Sequence, residues 1–235
     1  MRYAWEEQGC SADLEFYESF YTPRGWPAAA SEAMSTLNAG GHLEVAGRLR
    51  GRVTIDGADY EIDALAHRDR SWGYRDHATI SLHRYRCSSG TVGRALSWAT
   101  MSFSLLDGRI HSQGFVARDG ETEDVTNARV ITALDADGFT TMGATTVMTL
   151  ASGEIVTVEA SALQGFLNPM APAFATCTIA AVDYEGHLGF QNLEACPNPT
   201  RGTHVPGEEE GSLLSLTTGL SDSADHRLPR AKAAR

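Results

Sequence analysis

Hydrophobic and polar residues alternate along most of this chain in runs of strand length, and short turn pairs separate the runs. The clearest runs are Leu43 to Ile55 and Ala58 to Ala66, then Thr79 to Arg86, Ala95 to Leu105, Ile110 to Arg118, Thr140 to Leu150 and Glu154 to Leu163. Between or beside them fall Asp56-Gly57, Ser89-Gly90, Asp107-Gly108, Asp119-Gly120, Asp137-Gly138, Ser152-Gly153 and Glu185-Gly186. Such pairs supply the positive φ that tight hairpins need. In Glu154 to Glu159 the alternation sets Ile155 and Thr157 on one face and Val156 and Val158 on the other. Both faces are partly apolar, as in the wall of a sandwich or barrel. The pattern predicts an all-β protein built of antiparallel hairpins.

Few segments break this pattern. Pro27 to Leu37 is Ala-rich, with Ser31 and Glu32 near its start, and is expected to hold about three helical turns. Gln164 to Ala173, with Pro169 and Pro172, interrupts the last hairpins, and the chain from Pro197 onward is rich in Pro, Gly, Glu and Ser. Residues 201 to 235 carry few large apolar side chains besides Leu213, Leu214, Leu216 and Leu220, which reads as a flexible tail.

Composition narrows the function classes. The chain has 235 residues, 42% of them hydrophobic, with a formal net charge of -11, enough for one large or two small globular units. That charge argues against nucleic acid or an anionic membrane as partner, because neutralising phosphates needs clustered Lys and Arg. Cys10, Cys87, Cys177 and Cys196 are far apart and form no C-x-x-C pair, so free thiols are expected and no metal site is called for by spacing. Met1 to Gly9 has no apolar core, and no stretch of about 18 apolar residues occurs. The expected location is the cytoplasm.

One run stands apart. His67-Arg68-Asp69-Arg70-Ser71-Trp72-Gly73-Tyr74-Arg75-Asp76-His77 concentrates ionisable and aromatic groups directly after the apolar segment Ile62 to Ala66. Only Ser71 and Gly73 suit a turn. The rest point to a polar network that must be fully paired if buried. The same charges could form a structural ion-pair cluster, with Trp72 in the core and Arg75 bridging Asp69 or Asp76.

The segment His67 to Asp76 resembles the H-x-D-x-S-W-G-x-R signature of proteins related to carotenoid 1,2-hydratases (hydroxyneurosporene synthases), a group that shares a two-lipocalin architecture with fungal Diels-Alderase-type cyclases. Further landmarks extend the resemblance over roughly Leu43 to Glu194: Gly47 to Gly57, Gly114 to Gly120 and Gly186 to Glu194. It implies two lipocalin-like antiparallel barrels or sandwiches packed together, with an apolar ligand between or inside them. The expected boundaries are a first unit over 1–77, a second over 78–200 and the tail beyond. Only about 40 residues precede Leu43, too few for the early strands of a closed eight-stranded barrel. That leaves the first unit truncated, open, or completed by a second subunit, and a homodimer would cover its strand edges.

The implied activity is cofactor-free acid/base hydration or cyclisation of a hydrophobic isoprenoid or polyketide-like molecule. A carboxylic acid in an apolar pocket keeps its proton at neutral pH, and Asp69 is the first choice for that role. His67 lies on the same face if the segment stays extended, where it would orient Asp69 or take a proton from water. Trp72 and Tyr74 offer π faces to a cationic intermediate, and Arg75 is the remaining substrate-side group. Asp76 or Glu194 would pair with Arg75 and keep it from depressing Asp69. Two other readings stay open. A carrier of an apolar ligand needs the barrel without a tuned acid. A non-haem iron oxygenase would use His67 and Asp69 with His111 or His187, and Arg201 as a co-substrate clamp. No G-x-S-x-G elbow, P-loop or G-x-G-x-x-G occurs, so hydrolase, NTPase and dehydrogenase readings lack their machinery.

Overall fold

The computed structural model describes residues 1–25, 41–73, 82–105, 110–134, 140–170 and 173–197. The expected helix at Pro27 to Leu37 and the tail lie outside these residues, as do Tyr74, Arg75, Asp76 and His77. Asp56 and Gly57 take φ values of 49° and 80°, the left-handed pair that a type I′ hairpin demands. They turn β3 (Gly41–Ile55) directly into β4 (Ala58–Trp72), and fifteen consecutive pairs from Ile55↔Ala58 to Gly41↔Trp72 run without a bulge. The charged run therefore begins inside a strand. His67 to Trp72 continue β4, which extends beyond the predicted end at Ala66.

Residues ahead of Leu43 contribute two more strands, β1 (Arg2–Glu7) and β2 (Cys10–Ser19), joined by Gln8-Gly9. The result is an open four-stranded antiparallel sheet in the order β1-β2-β3-β4. Eight further strands follow: β5 (Leu82–Thr91), β6 (Ser97–Leu105), β7 (Ile110–Arg118), β8 (Glu121–Leu134), β9 (Thr141–Leu150), β10 (Ile155–Met170), β11 (Ala173–Tyr184) and β12 (His187–Pro197). Each pairs with the next, and β12 pairs with β5, which closes an up-and-down barrel. The all-β expectation holds, as a closed eight-stranded antiparallel barrel and a second antiparallel sheet.

One predicted turn is misplaced. Ser89-Gly90 lies inside β5, and the reversal comes later, around Gly93 at φ 91°. Gly90 is needed for space: a Cβ there would sit 2.7 Å from the Trp98 ring and against the Phe190 carbonyl. Gly90→Ala should therefore lower stability by about 1–3 kcal/mol, read as a shift of the urea midpoint at unchanged slope.

Eight strands enclose a lumen just wide enough for side chains to fill. Here Leu96, Trp98, Val116, Met148, Leu150, Val156, Val158 and Val182 fill it. Above them lies a hydroxyl-rich layer in which Trp98 Nε1 donates to Ser88 Oγ at 2.9 Å, Thr146 to Ser88 at 3.0 Å, and Gln191 Nε2 to Thr146 at 3.4 Å. Among the described residues the apolar side chains of the lumen belong to the larger apolar cluster of the protein. A second apolar cluster joins sheet to barrel: Phe16, Phe20, Tyr21, Val45 and Ala46 against Ala99, Phe115 and Ala117 on the outside of β6 and β7. No helix among the described residues is long and apolar enough to cross a membrane.

Candidate functional site

Directly opposed residues of an antiparallel pair share a face. Glu44 opposes Asp69, His42 opposes Ser71 and Ala46 opposes His67, so His42, Glu44, His67 and Asp69 converge on one face of β3 and β4. His42 Nε2 lies 3.1 Å from Glu44 Oε1 and 3.1 Å from Asp69 Oδ1. His67 Nε2 approaches Glu44 Oε2 to 3.1 Å, but the two are not aligned as a hydrogen bond, and neither atom has another partner.

Burial separates the members. Glu44 is 4% exposed, and the side chains of His42 and His67 are 7% and 6% exposed. Asp69, at 60%, stands at the rim. Arg24 fixes the buried end. Its backbone pairs with that of Glu44 on the free side of β3, its guanidinium binds Thr122 and Asp124 of β8, and it lies 5.6 Å over the Phe115 ring. The seam between sheet and barrel is thereby held at the cluster.

These surroundings set the proton affinities. Burial pushes the Glu44 carboxyl up to about 7, and the charges of Asp69 and Glu194 push the same way against the hydrogen bond from His42. Burial alone would lower His42, but hydrogen bonds to Asp69 and Glu44 outweigh it and hold it at about 9. His67 goes down to about 4, chiefly by burial. At neutral pH the site offers an imidazolium, a carboxyl near its midpoint and a neutral imidazole. Asp69, expected as the enclosed acid, is open to solvent, and the enclosed carboxyl of the cluster is Glu44.

The other sequence candidates scatter. Trp72 opposes Gly41 and so faces away from the cluster; it is 45% exposed, with the Arg70 guanidinium 5.7 Å from its ring centroid. Glu194 is on β12 and reaches the cluster through its charge on Glu44. His42, Glu44 and Asp69 each place one donor atom within 4.8 Å of the others and could hold a metal ion. His111 and His187, suggested by spacing for such a role, do not join this group. Two surface grooves among the described residues lie elsewhere, one around Ile131, Met142, Ser161 and Leu188 and another around Arg2, Glu15 and Glu61. Neither includes the cluster; the geometry of the four side chains is the better guide to chemistry.

Sequence reasoning missed His42 and Glu44, although His42-Leu43-Glu44 has the same i, i+2 spacing as His67-Arg68-Asp69. It also missed Gln113 on the facing barrel wall, where a lone Gln in an alternating strand gives no signal.

Comparison with known proteins adds the following. The chain is similar to a crystal structure of a Nitrosomonas europaea protein provisionally designated AttH, with a TM-score of 0.55 and 13% sequence identity. The match covers 84% of this chain and 64% of that one, so the chain spans under two thirds of that protein, and the likeness is one of fold. No curated protein matches. A family model described as a domain of unknown function, DUF7064, matches residues 1–199, and the chain belongs to that family.

Proposed function

We propose that this protein takes up a small, largely apolar molecule at the seam between sheet and barrel and converts it by proton transfer, as a hydratase or cyclase. The observation that carries this reading is Glu44: a carboxyl almost wholly enclosed, held near neutrality, with one oxygen unpartnered beside a neutral imidazole. Glu44 would protonate the substrate and His67 would accept a proton from water or from substrate carbon. His42, hydrogen-bonded to Asp69 at the rim, orients the acid, and neither of the two accepts a substrate proton. The resemblance of the His67 to Asp76 segment to carotenoid 1,2-hydratases supports the reaction class.

The test is to incubate wild type and Asp69→Asn with isoprenoid and polyketide extracts and score products by mass. Hydration adds one water and cyclisation leaves the mass unchanged. Wild type is expected to convert a component of the extract, and Asp69→Asn to keep conversion within about tenfold, since that carboxylate acts through His42. Conversion is expected to survive chelation. Loss on chelation with recovery on adding ferrous or zinc ion would overturn proton transfer in favour of a metal centre on His42, Glu44 and Asp69. Binding without product under every condition would leave a binding protein.

A further inference from the structure

A row of outward-facing side chains crosses the barrel wall on the side that meets the sheet. Register sets Glu194 beside Cys87, Cys87 beside Met101 and Met101 beside Gln113, and residues so opposed point to the same side. Their neighbours fix that side as the outside: Trp98 and Val116 belong to the lumen, Ala99 and Phe115 to the contact with the sheet. Gln113, two residues before Phe115, therefore faces the seam. Glu44 is tied to the same wall through Arg24, whose backbone pairs with that of Glu44 and whose guanidinium lies 5.6 Å over the ring of Phe115, two residues along β7 from Gln113; the Tyr21 ring meets Phe115 edge-on at 5.5 Å.

Gln113 is 2% exposed, and neither its Oε1 nor its Nε2 has a hydrogen-bond partner. An amide left so is a cost to the folded chain. It presents an acceptor beside two donors, and the ligand group that satisfies both ends carries a donor beside an acceptor. A carboxamide or lactam does so without charge. An ionised carboxylate has no donor to give and would enter a seam already flanked by Glu194 and Asp69. A hydrocarbon would leave the amide idle, and sites built to bond a polar group reject analogues lacking it.

We propose that Gln113 determines specificity at the seam, reading a neutral carboxamide or lactam head by paired hydrogen bonds. The inference rests on the seam being the reaction site. It narrows the ligand from apolar molecules in general to apolar molecules with such a head, and sets isoprenoid hydrocarbons aside.

The test uses cyclohexanecarboxamide, its N,N-dimethyl derivative and cyclohexanecarboxylate as probes, followed through the side-chain amide signals of Gln113 in ¹⁵N-labelled protein. The titrations should extend past roughly 10 mM, the affinity range of a fragment of this size. The Gln113 signals should shift with the carboxamide, and the dimethyl amide and the carboxylate should bind at least about tenfold more weakly, the equivalent of one lost hydrogen bond. Gln113→Met, close in volume, should fold with unchanged or raised melting temperature and lose the carboxamide by a similar factor; Gln113→Leu serves if the thioether packs badly. Equal binding of all three probes, no shift, or wild-type affinity in Gln113→Met would overturn the proposal and leave the amide holding an ordered water. The two readings fail separately. Carboxamide recognition without conversion of any extract component sinks the enzymatic reading alone, whereas Glu44-dependent conversion of a hydrocarbon sinks the role of Gln113 alone.

Discussion

Exchanging Glu44 for glutamine is expected to cut conversion by about 10²- to 10⁴-fold while the ligand still binds, the usual span for removing a positioned general acid. Glutamine keeps the shape and can still accept the hydrogen bond that His42 Nε2 gives Glu44 Oε1 at 3.1 Å, but it has no acidic proton to give. Stability supplies an independent readout, because Glu44 has a folded value near 7 against an ordinary 4.5. A raised folded value contributes stability that is complete below pH 4.5 and is lost as pH rises through 7, a change on the order of 3 kcal/mol. His67 runs the other way. Its folded value near 4 against 6.5 gives stability that is present above pH 6.5 and lost as pH falls through 4. Between pH 4.5 and 6.5 the two slopes oppose, and wild type should be nearly flat in denaturant midpoint. Glu44→Gln, with only the His67 slope left, should gain stability with pH across that window. Parallel curves for the two proteins would show that Glu44 is not the proton-holding group.

His42, held near 9 by Asp69 and Glu44, acts above this range. Its contribution is complete below pH 6.5 and disappears as pH rises through 9. The alkaline limb of the wild-type stability curve therefore reports the imidazolium between the two carboxylates, and the acid limb reports His67.

Much of this site can be written down from the chain before any tertiary contact is known. A two-residue turn at Asp56-Gly57 pairs Ile55 with Ala58, and each step outward pairs residues whose numbers again sum to 113, through Glu44 with Asp69. Carrying that hairpin past Ala66 would have brought Glu44 to Asp69 and Ala46 to His67 from the alternation alone. The prediction stopped at Ala66 because the charged run looked unlike a strand, yet charges are compatible with a strand whose face is partnered. What the local pattern does not carry is the docking of the sheet on β6 and β7. That docking buries Glu44 and leaves Asp69 open, and so decides which carboxyl keeps its proton. Gly90 shows the same limit at smaller scale: Ser-Gly reads as a turn, while the reason for the glycine is the Trp98 ring, on the neighbouring strand.

Trp98→Ala should lower the unfolding free energy by about 3–5 kcal/mol, the range for emptying a large buried aromatic site. Trp98 is fully buried in the lumen cluster, in a ring of strands closed by hydrogen bonds that can collapse little to refill the space. The loss has two parts. The indole volume is part of the lumen cluster that includes Met148, Val158 and Ala180, and the indole N–H satisfies Ser88, which also receives Thr146. Trp98→Phe removes the donor and only part of the volume, and should cost roughly half as much or less. A calorimetric or denaturant series over the three proteins separates the terms. The consequence reaches the site through β6, where Ala99 and Met101 point outward between lumen and seam. A barrel slackened at Trp98 should hold Phe115 and Gln113 less firmly beneath Glu44, so conversion by Trp98→Phe should fall even at temperatures where the variant is fully folded. Unchanged conversion in a measurably destabilised Trp98→Phe would show that the barrel wall takes no part in shaping the seam.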